Sequence, residues 1–318
     1  MAELDGSILV VHPDRKAQRA LQRVLAATLR TVVVLDLIDD ARLALRDGTP
    51  SLIVMASRVR ATDAGELMLE HARVQGCADV VIVHDDPAVT GEEVFGFAGL
   101  EHLVTSTMPV QAEELAVTAA KLLRRDLFGL EKYLGWGAIV RDTDVRSTSD
   151  RQRVIDDLAQ GLEDMCLGRR HQASALLAAD ELIFNAIYNA PIDDDGRHYL
   201  REVSRADERP LVGRERPRVR WGCDGRYLAI EVTDRFGSLD AATVVRYVAK
   251  CTRRVGNVRA EGAGAGIGMA MAYAATRQLV YDIEPGRRTE AIALIDVRPW
   301  PPGAAGALPS LHLFIAGA

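Results

Sequence analysis

Three well-separated segments carry side chains of the types that hold a nucleotide. In Asp180-Glu181-Leu182-Ile183-Phe184-Asn185-Ala186-Ile187-Tyr188-Asn189 the residues Glu181, Asn185 and Asn189 recur at every fourth position. On a helix this spacing places all three on one side and leaves Leu182, Ile183, Ala186 and Ile187 for the buried side. A helical carboxylate with a carboxamide one turn later can orient water and Mg²⁺. Further on, a strand-like run delivers Asp234 to its end, followed by Arg235-Phe236-Gly237. A carboxylate there can accept a hydrogen bond from the exocyclic amine of adenine and would reject guanine, which presents a carbonyl at that edge. Gly262, Gly264, Gly266 and Gly268 then precede an apparent helix, Ala270 to Arg277, whose first backbone amides would face phosphate. Each segment also has a plainer reading: a polar helix stripe, a strand-end acid, a close-packed turn. Together and in this order they predict an ATP pocket.

The elements that must position these residues can be read around them. A strand is expected within Ala138 to Val145, a helix from Ser149 to Leu167 capped by Ser149 or Asp150, and a second helix from about Gln172 to Asn189. Pro191 to Pro217 is polar, rich in Asp and Arg and punctuated by Pro and Gly, so it reads as a long loop, either mobile or used to recognise a partner. Strands over Arg218 to Trp221 and Arg226 to Val232 are joined by Cys223-Asp224-Gly225, a hairpin turn of the Asp-Gly type. Ala241 to Lys250 reads as a helix, and Leu279 to Glu284 and Thr289 to Val297 as closing strands. A dinucleotide fold is excluded because the glycine run does not follow directly on a strand.

Residues 136 to 298 resemble the GHKL family of ATP-binding domains, found in gyrase, sensor histidine kinases and the serine kinases that antagonise sigma factors. The motifs that carry the resemblance are Glu181 with Asn185, Asp234 with Gly237, and the glycines ending at Gly268. The resemblance implies an α+β two-layer sandwich of the Bergerat type binding ATP and Mg²⁺. Asn185 would hold the metal, Glu181 would be the general base, and Asn189 would stand where relatives contact phosphate. Thr289 corresponds to a Thr that contacts adenine, and Arg253 and Arg254 lie where the family places its lid, within reach of the terminal phosphates. Phe236 stands where the family pattern has its first glycine. The long helix pair that bears the phosphorylated His of typical histidine kinases has no counterpart, so the anti-sigma serine kinases are the nearest match.

Residues 7 to 125 alternate apolar runs with amphipathic stretches: Ile8 to Val11, Thr31 to Leu37, Leu52 to Met55, Val80 to Val83 and Leu103 to Val104, with helix-like segments between, the first from Arg15 to Leu29. A doubly wound parallel (βα)5 domain over 1–125 is the economical arrangement. Its order and size resemble the receiver domain of two-component signalling, whose chemistry needs two acids after the first strand, an Asp ending the third and a Lys after the fifth. Here those positions read His12-Pro13, Ala56 or Ser57, and Met108-Pro109. Without the carboxylates no Mg²⁺ site forms, and without the Asp no acyl phosphate can, so the domain is expected to act independently of phosphorylation. His84-Asp85-Asp86 reads as a polar loop rather than a metal cluster.

Ala116, Ala120, Leu123, Leu127, Leu130 and Leu134 recur at spacings of four and three, predicting a linker helix over 126–136 whose apolar face packs within the chain or forms a homodimer. The tail, 299–318, reads as a Pro-, Gly- and Ala-rich linker followed by an apolar segment that docks on a core or a partner. A hydrophobic share of 48% with 26% charged residues marks a globular chain, and its 318 residues suffice for two cores. A net charge of −6 disfavours nucleic acid as the main partner. The four cysteines are far apart, without zinc or redox spacing. No secretory leader or membrane-spanning run is visible, so a cytoplasmic location without membrane insertion is expected. The combined expectation is a signal-transduction regulator: a receiver-like domain coupled to an ATP-Mg-binding GHKL domain that controls a partner protein, as a Ser/Thr protein kinase or an ATPase. The alternative is a non-catalytic adaptor built from the same two modules.

Overall fold

The computed structural model describes residues 4–77, 79–105, 112–205, 207–252, 267–298 and 308–317. The chain is mixed α/β and divides into two compact units, one of Met1–Leu127 with Ser310–His312, the other of Phe128–Pro309 with Leu313–Gly317.

The first unit is a parallel sheet wrapped by helices. Its strands are β1 (Ile8–Val11), β2 (Val32–Leu35), β3 (Leu52–Ala56), β4 (Val80–His84) and β5 (His102–Thr105), in the order β2-β1-β3-β4-β5. The helices between and after them are α1 (Arg15–Leu25), α2 (Ile38–Asp47), α3 (Ser57–Arg60), α4 (Asp63–Val74), α5 (Gly91–Phe95) and α6 (Ala112–Arg124). Every residue of β1 and β3 is buried, as expected of central parallel strands covered on both faces. Short side-chain caps start α1, α4 and α5: Asp14 accepts from Ala17 N at 2.8 Å, Thr62 from Gly65 N at 3.1 Å, and Thr90 and Glu93 form a reciprocal capping box. Beyond β5 the unit gains an antiparallel segment, Leu311 and His312 pairing with Leu103 and His102, so the apolar tail does dock on a core.

The expected linker helix over 126–136 does not form. α6 stops at Arg124, Arg125 turns into the left-handed region at φ 54°, and the chain runs irregularly to a short 3₁₀ turn over Leu130–Tyr133. A left-handed residue just past the last helical one ends a helix, so the apolar spacing across this point does not describe one face. Leu127 and Leu130 are nevertheless buried.

In the second unit β6 (Val140–Asp144) leads to α7 (Asp150–Asp164) and then α8 (Arg169–Phe184), which continues through a π turn over Asn185–Asn189. There follow β7 (Arg218–Cys223), β8 (Tyr227–Asp234), α9 (Ala241–Thr252), α10 (Ile267–Ala275), β9 (Gln278–Glu284) and β10 (Arg288–Asp296). The strands form an antiparallel order β9-β10-β8-β7-β6. Strand alternation divides the sheet. Asp234, Val232 and Ile230 share one face with their cross-strand partners Thr289, Val219 and Trp221. The helices cover this face: the Gly161 backbone of α7 lies against the Trp221 ring so closely that a Cβ there would overlap it. Thr233 and Glu231 share the other face with Arg218, Arg220 and Glu290. The last strand, β11 (Ser310–Ile315), ends with Ala316 N donating to Ile283 O at 2.8 Å.

The long polar loop is irregular but anchored. Glu215, in a 3₁₀ turn over Gly213–Glu215, accepts from Arg209 Nη2 at 2.6 Å, Tyr199 Oη at 3.1 Å and Val212 N at 3.0 Å. Burial would raise its pKa, but these donors outweigh burial and hold the carboxyl below its ordinary value.

Candidate functional site

The site residues expected on α8 fall into two environments. Glu181 is half-buried beside Asp180, which Arg151 grips through Nε at 2.7 Å and Nη2 at 2.6 Å. Burial, then the Asp180 charge, raises the Glu181 pKa, against Arg151 and Arg205. A carboxyl shifted upward is a better proton acceptor near neutrality. Its oxygens lie against Gly268 at the start of α10, where a Cβ would overlap Oε2. The acid on α8 and the last glycine of the run are thus in contact.

One turn on, the π turn resets the helical phase. Asn189 Nδ2 donates to Asn185 Oδ1 at 2.7 Å, which ties Asn189 to its neighbour and leaves Asn185 Nδ2 buried without a partner among the described residues. π turns interrupt α-helices most often where a side chain is being aimed for a purpose. A half-turn of both amides exchanges their roles: Asn189 then accepts from Asn185 Nδ2, and Asn185 Oδ1 becomes the free atom, a hard oxygen suited to Mg²⁺. Among the described residues no group of three or more His, Cys, Asp or Glu could hold a metal, so a cation here would need its other ligands from nucleotide phosphate and water.

Asp234 closes β8 and is only 8% exposed. Its Oδ1 accepts from Phe236 N at 2.8 Å and Gly237 N at 3.1 Å, an Asx turn that aims the carboxyl back over its own strand end. Burial raises its pKa, opposed by those amides and by Thr289, directly opposite across the ladder. The Thr289 hydroxyl is near enough to act on that charge yet makes no well-formed hydrogen bond among the described residues and is itself buried. Thr289 is only 2% exposed, so it is no surface hydroxyl.

Gly237 is required by shape. At φ 59° it lies under the β9–β10 turn, where a Cβ would overlap Glu284 O and stand 2.8 Å from the amides of Arg287 and Arg288. Phe236, in the place of the family's first glycine, turns its ring inward at 3% exposure under the guanidinium of Arg214, whose Cζ lies 4.8 Å from the ring centre. The pattern had no signal for this contact, since Arg214 sits in the loop. Ser238 Oγ donates to Ala190 O at 2.7 Å, joining the Asp234 loop to the end of the α8 π turn. The structure therefore brings together Glu181 with Gly268, Asn185 with Asn189, and Asp234 with Gly237 and Thr289, and among the described residues no hydrogen bond joins Glu181 to Asp234. Arg253, Arg254, Gly262, Gly264 and Gly266 lie outside the described residues, as do Met108 and Pro109.

At the carboxyl ends of the parallel strands in the first unit, the positions where receiver chemistry needs acids are taken by two histidine pairs. His12 Nε2 bonds Asp85 Oδ2 at 3.1 Å, and Ser57 Oγ bonds His84 Nδ1 at 3.1 Å. Burial holds the His84 pKa down, so its ring is neutral and Nδ1 can accept from the hydroxyl. Burial would raise the Asp85 pKa, but His12 and Arg58 outweigh burial and hold it down. Asp86 faces Arg58 at 3.8 Å. The three residues of His84-Asp85-Asp86 thus serve three different partners, in keeping with a polar loop.

Neither models of known protein families nor curated proteins match this chain.

Proposed function

We propose that the second unit binds ATP with Mg²⁺ and that the chain is a signalling regulator which transfers phosphate to a Ser or Thr of a partner protein. The observation that carries this reading is a pair of buried polar atoms, Asn185 Nδ2 and Thr289 Oγ1, that make no well-formed hydrogen bond among the described residues and stand at two positions the ATP-site pattern singles out. Buried polar groups are normally satisfied, so unmet ones at positions the pattern singles out call for an explanation, and a bound nucleotide supplies one. In this reading Asp234 and Thr289 hold the adenine edge. Asn185 supplies the protein's ligand to Mg²⁺, whose part when bound is to neutralise phosphate charge. Glu181 takes the proton of the attacking hydroxyl. The backbone at Gly268, the one glycine of the run that is described, leaves room for that carboxylate. The first unit acts without phosphorylation, through its surfaces, because His12, Ser57, His84 and Asp85 occupy its strand ends with one another.

The test is incubation with γ-labelled ATP and candidate partners. Label on a partner Ser or Thr, falling by ~100-fold or more in Glu181→Gln while nucleotide binding persists, is the outcome expected of a positioned general base. Phosphate release without transfer would make the protein an ATPase. Phe236 favours a second reading, because a buried ring where a flexible glycine is expected stiffens the strand-end loop. An adaptor would then bind no nucleotide and transfer no label.

A further inference from the structure

The second unit carries a concentration of arginine along its sheet and at the start of α7. One open basin of about 760 Å³ is lined by Arg214, Arg218, Arg235, Arg287 and Arg288, against Glu284 and Glu290. A neighbouring hollow of about 910 Å³ shares Arg218 and Arg235 and adds Arg146 and Arg153, among Asp142, Asp144 and Asp150. Several of these guanidiniums are already engaged. Arg287 and Arg288 reach Glu284 at 2.6 and 3.1 Å, and Arg218 forks onto Asp142. Arg214 and Arg235 are different. Arg214 donates to two backbone carbonyls, Arg235 O at 3.0 Å and Gly286 O at 3.2 Å, and lies over the Phe236 ring, so it is fixed in place without an ion-pair partner among the described residues. Arg235 is exposed and has no ion-pair partner among the described residues.

We propose that this basin docks an acidic, Asp- and Glu-rich segment of a partner protein. The lining cations are all arginine, whose planar fork matches carboxylate oxygens two at a time. Two hollows joined through shared residues make a track, which fits carboxylates spaced along a chain better than one compact anion. The resident Asp and Glu break the track into separate cationic positions, which matches carboxylates spaced along a chain rather than the continuous charge of nucleic acid or an anionic membrane. Phe236 thereby acquires a role its place in the motif does not suggest: it is the platform that holds Arg214.

The probe is a fluorescein-labelled peptide of about 12 residues with Glu at alternate positions, followed by anisotropy on the full chain at low salt, where charge steering is strongest. Binding is expected to weaken by ~10-fold or more in Arg214→Glu and in Arg235→Glu, and to be lost near ~0.5 M salt. Arg169→Glu, an exposed reversal on α8, should leave it unchanged. Arg235→Glu guards against a folding artefact, since its side chain is exposed. Equal binding by the parent and Arg235→Glu would overturn the proposal. So would full displacement by inorganic phosphate, or tighter binding of a DNA oligonucleotide or of phosphatidylserine vesicles that the same variants abolish. Saturation with ATP should not displace the peptide, which separates failure here from failure of the nucleotide reading.

Discussion

Glu181 and Gly268 constrain each other, and the constraint is measurable. A methyl at position 268 must displace the Glu181 carboxylate, so Gly268→Ala should cost about 1–3 kcal/mol in urea unfolding. In a Glu181→Ala background the same change should be nearly free, and additive costs would show that the two residues do not touch. Asp234 offers a test with a sign. Its folded pKa is raised by burial, so the stability it contributes is complete below the unfolded value and is lost as pH rises through the folded one. Asp234→Asn keeps an acceptor for Phe236 N and Gly237 N without the buried charge. Its melting temperature should therefore gain on the parent's as pH rises from acid toward neutral. A constant difference across pH would contradict the burial assigned to this carboxyl.

Elements were legible where a period or a turn residue spoke plainly. The five apolar runs of the first unit, the Asp224-Gly225 hairpin and the strand ending at Asp234 all stand where their spacing put them. Apolar spacing is blind to one left-handed residue, Arg125, which ends the helix before the linker, and the π turn at Asn185 leaves no mark in the sequence because its residues are the same ones an α-helix would carry. Contacts between distant segments left no local trace: the Arg214–Phe236 stack, the His12–Asp85 and Ser57–His84 pairs, and the Gly161–Trp221 approach. Gly161→Ala should push α7 off β7 and cost about 2–3 kcal/mol, read by chemical denaturation; a neutral change would refute that packing. Leu29, exposed and left-handed at φ 60° after a 3₁₀ turn over Ala26–Thr28 that follows α1, should gain about 0.5–1 kcal/mol on replacement by glycine, measured in the same way.

At the scale of the molecule, acid sensitivity should have a local origin in the first unit. His102 is buried and stacks on His312, which bonds Glu114, and burial foremost, then the charges of His312 and Lys121, holds the His102 pKa well below 6.5. A lowered histidine contributes stability that is present above its unfolded value and is lost as pH falls below it. Thermal melts followed downward from neutral pH should therefore show a decline that flattens in His102→Asn, and an unchanged slope would place the sensitivity elsewhere. No helix among the described residues is long and apolar enough to cross a membrane. The central claim is that residues of α8 and the end of β8 bind ATP, and isothermal titration with ATP and Mg²⁺ tests it most directly. The parent should bind with a dissociation constant of ~1–100 μM, and both Asp234→Asn and Asn185→Ala should weaken binding by ~10-fold or more, the loss expected when buried polar partners are removed. Absence of heat in the parent, or undiminished affinity in the two variants, would contradict it.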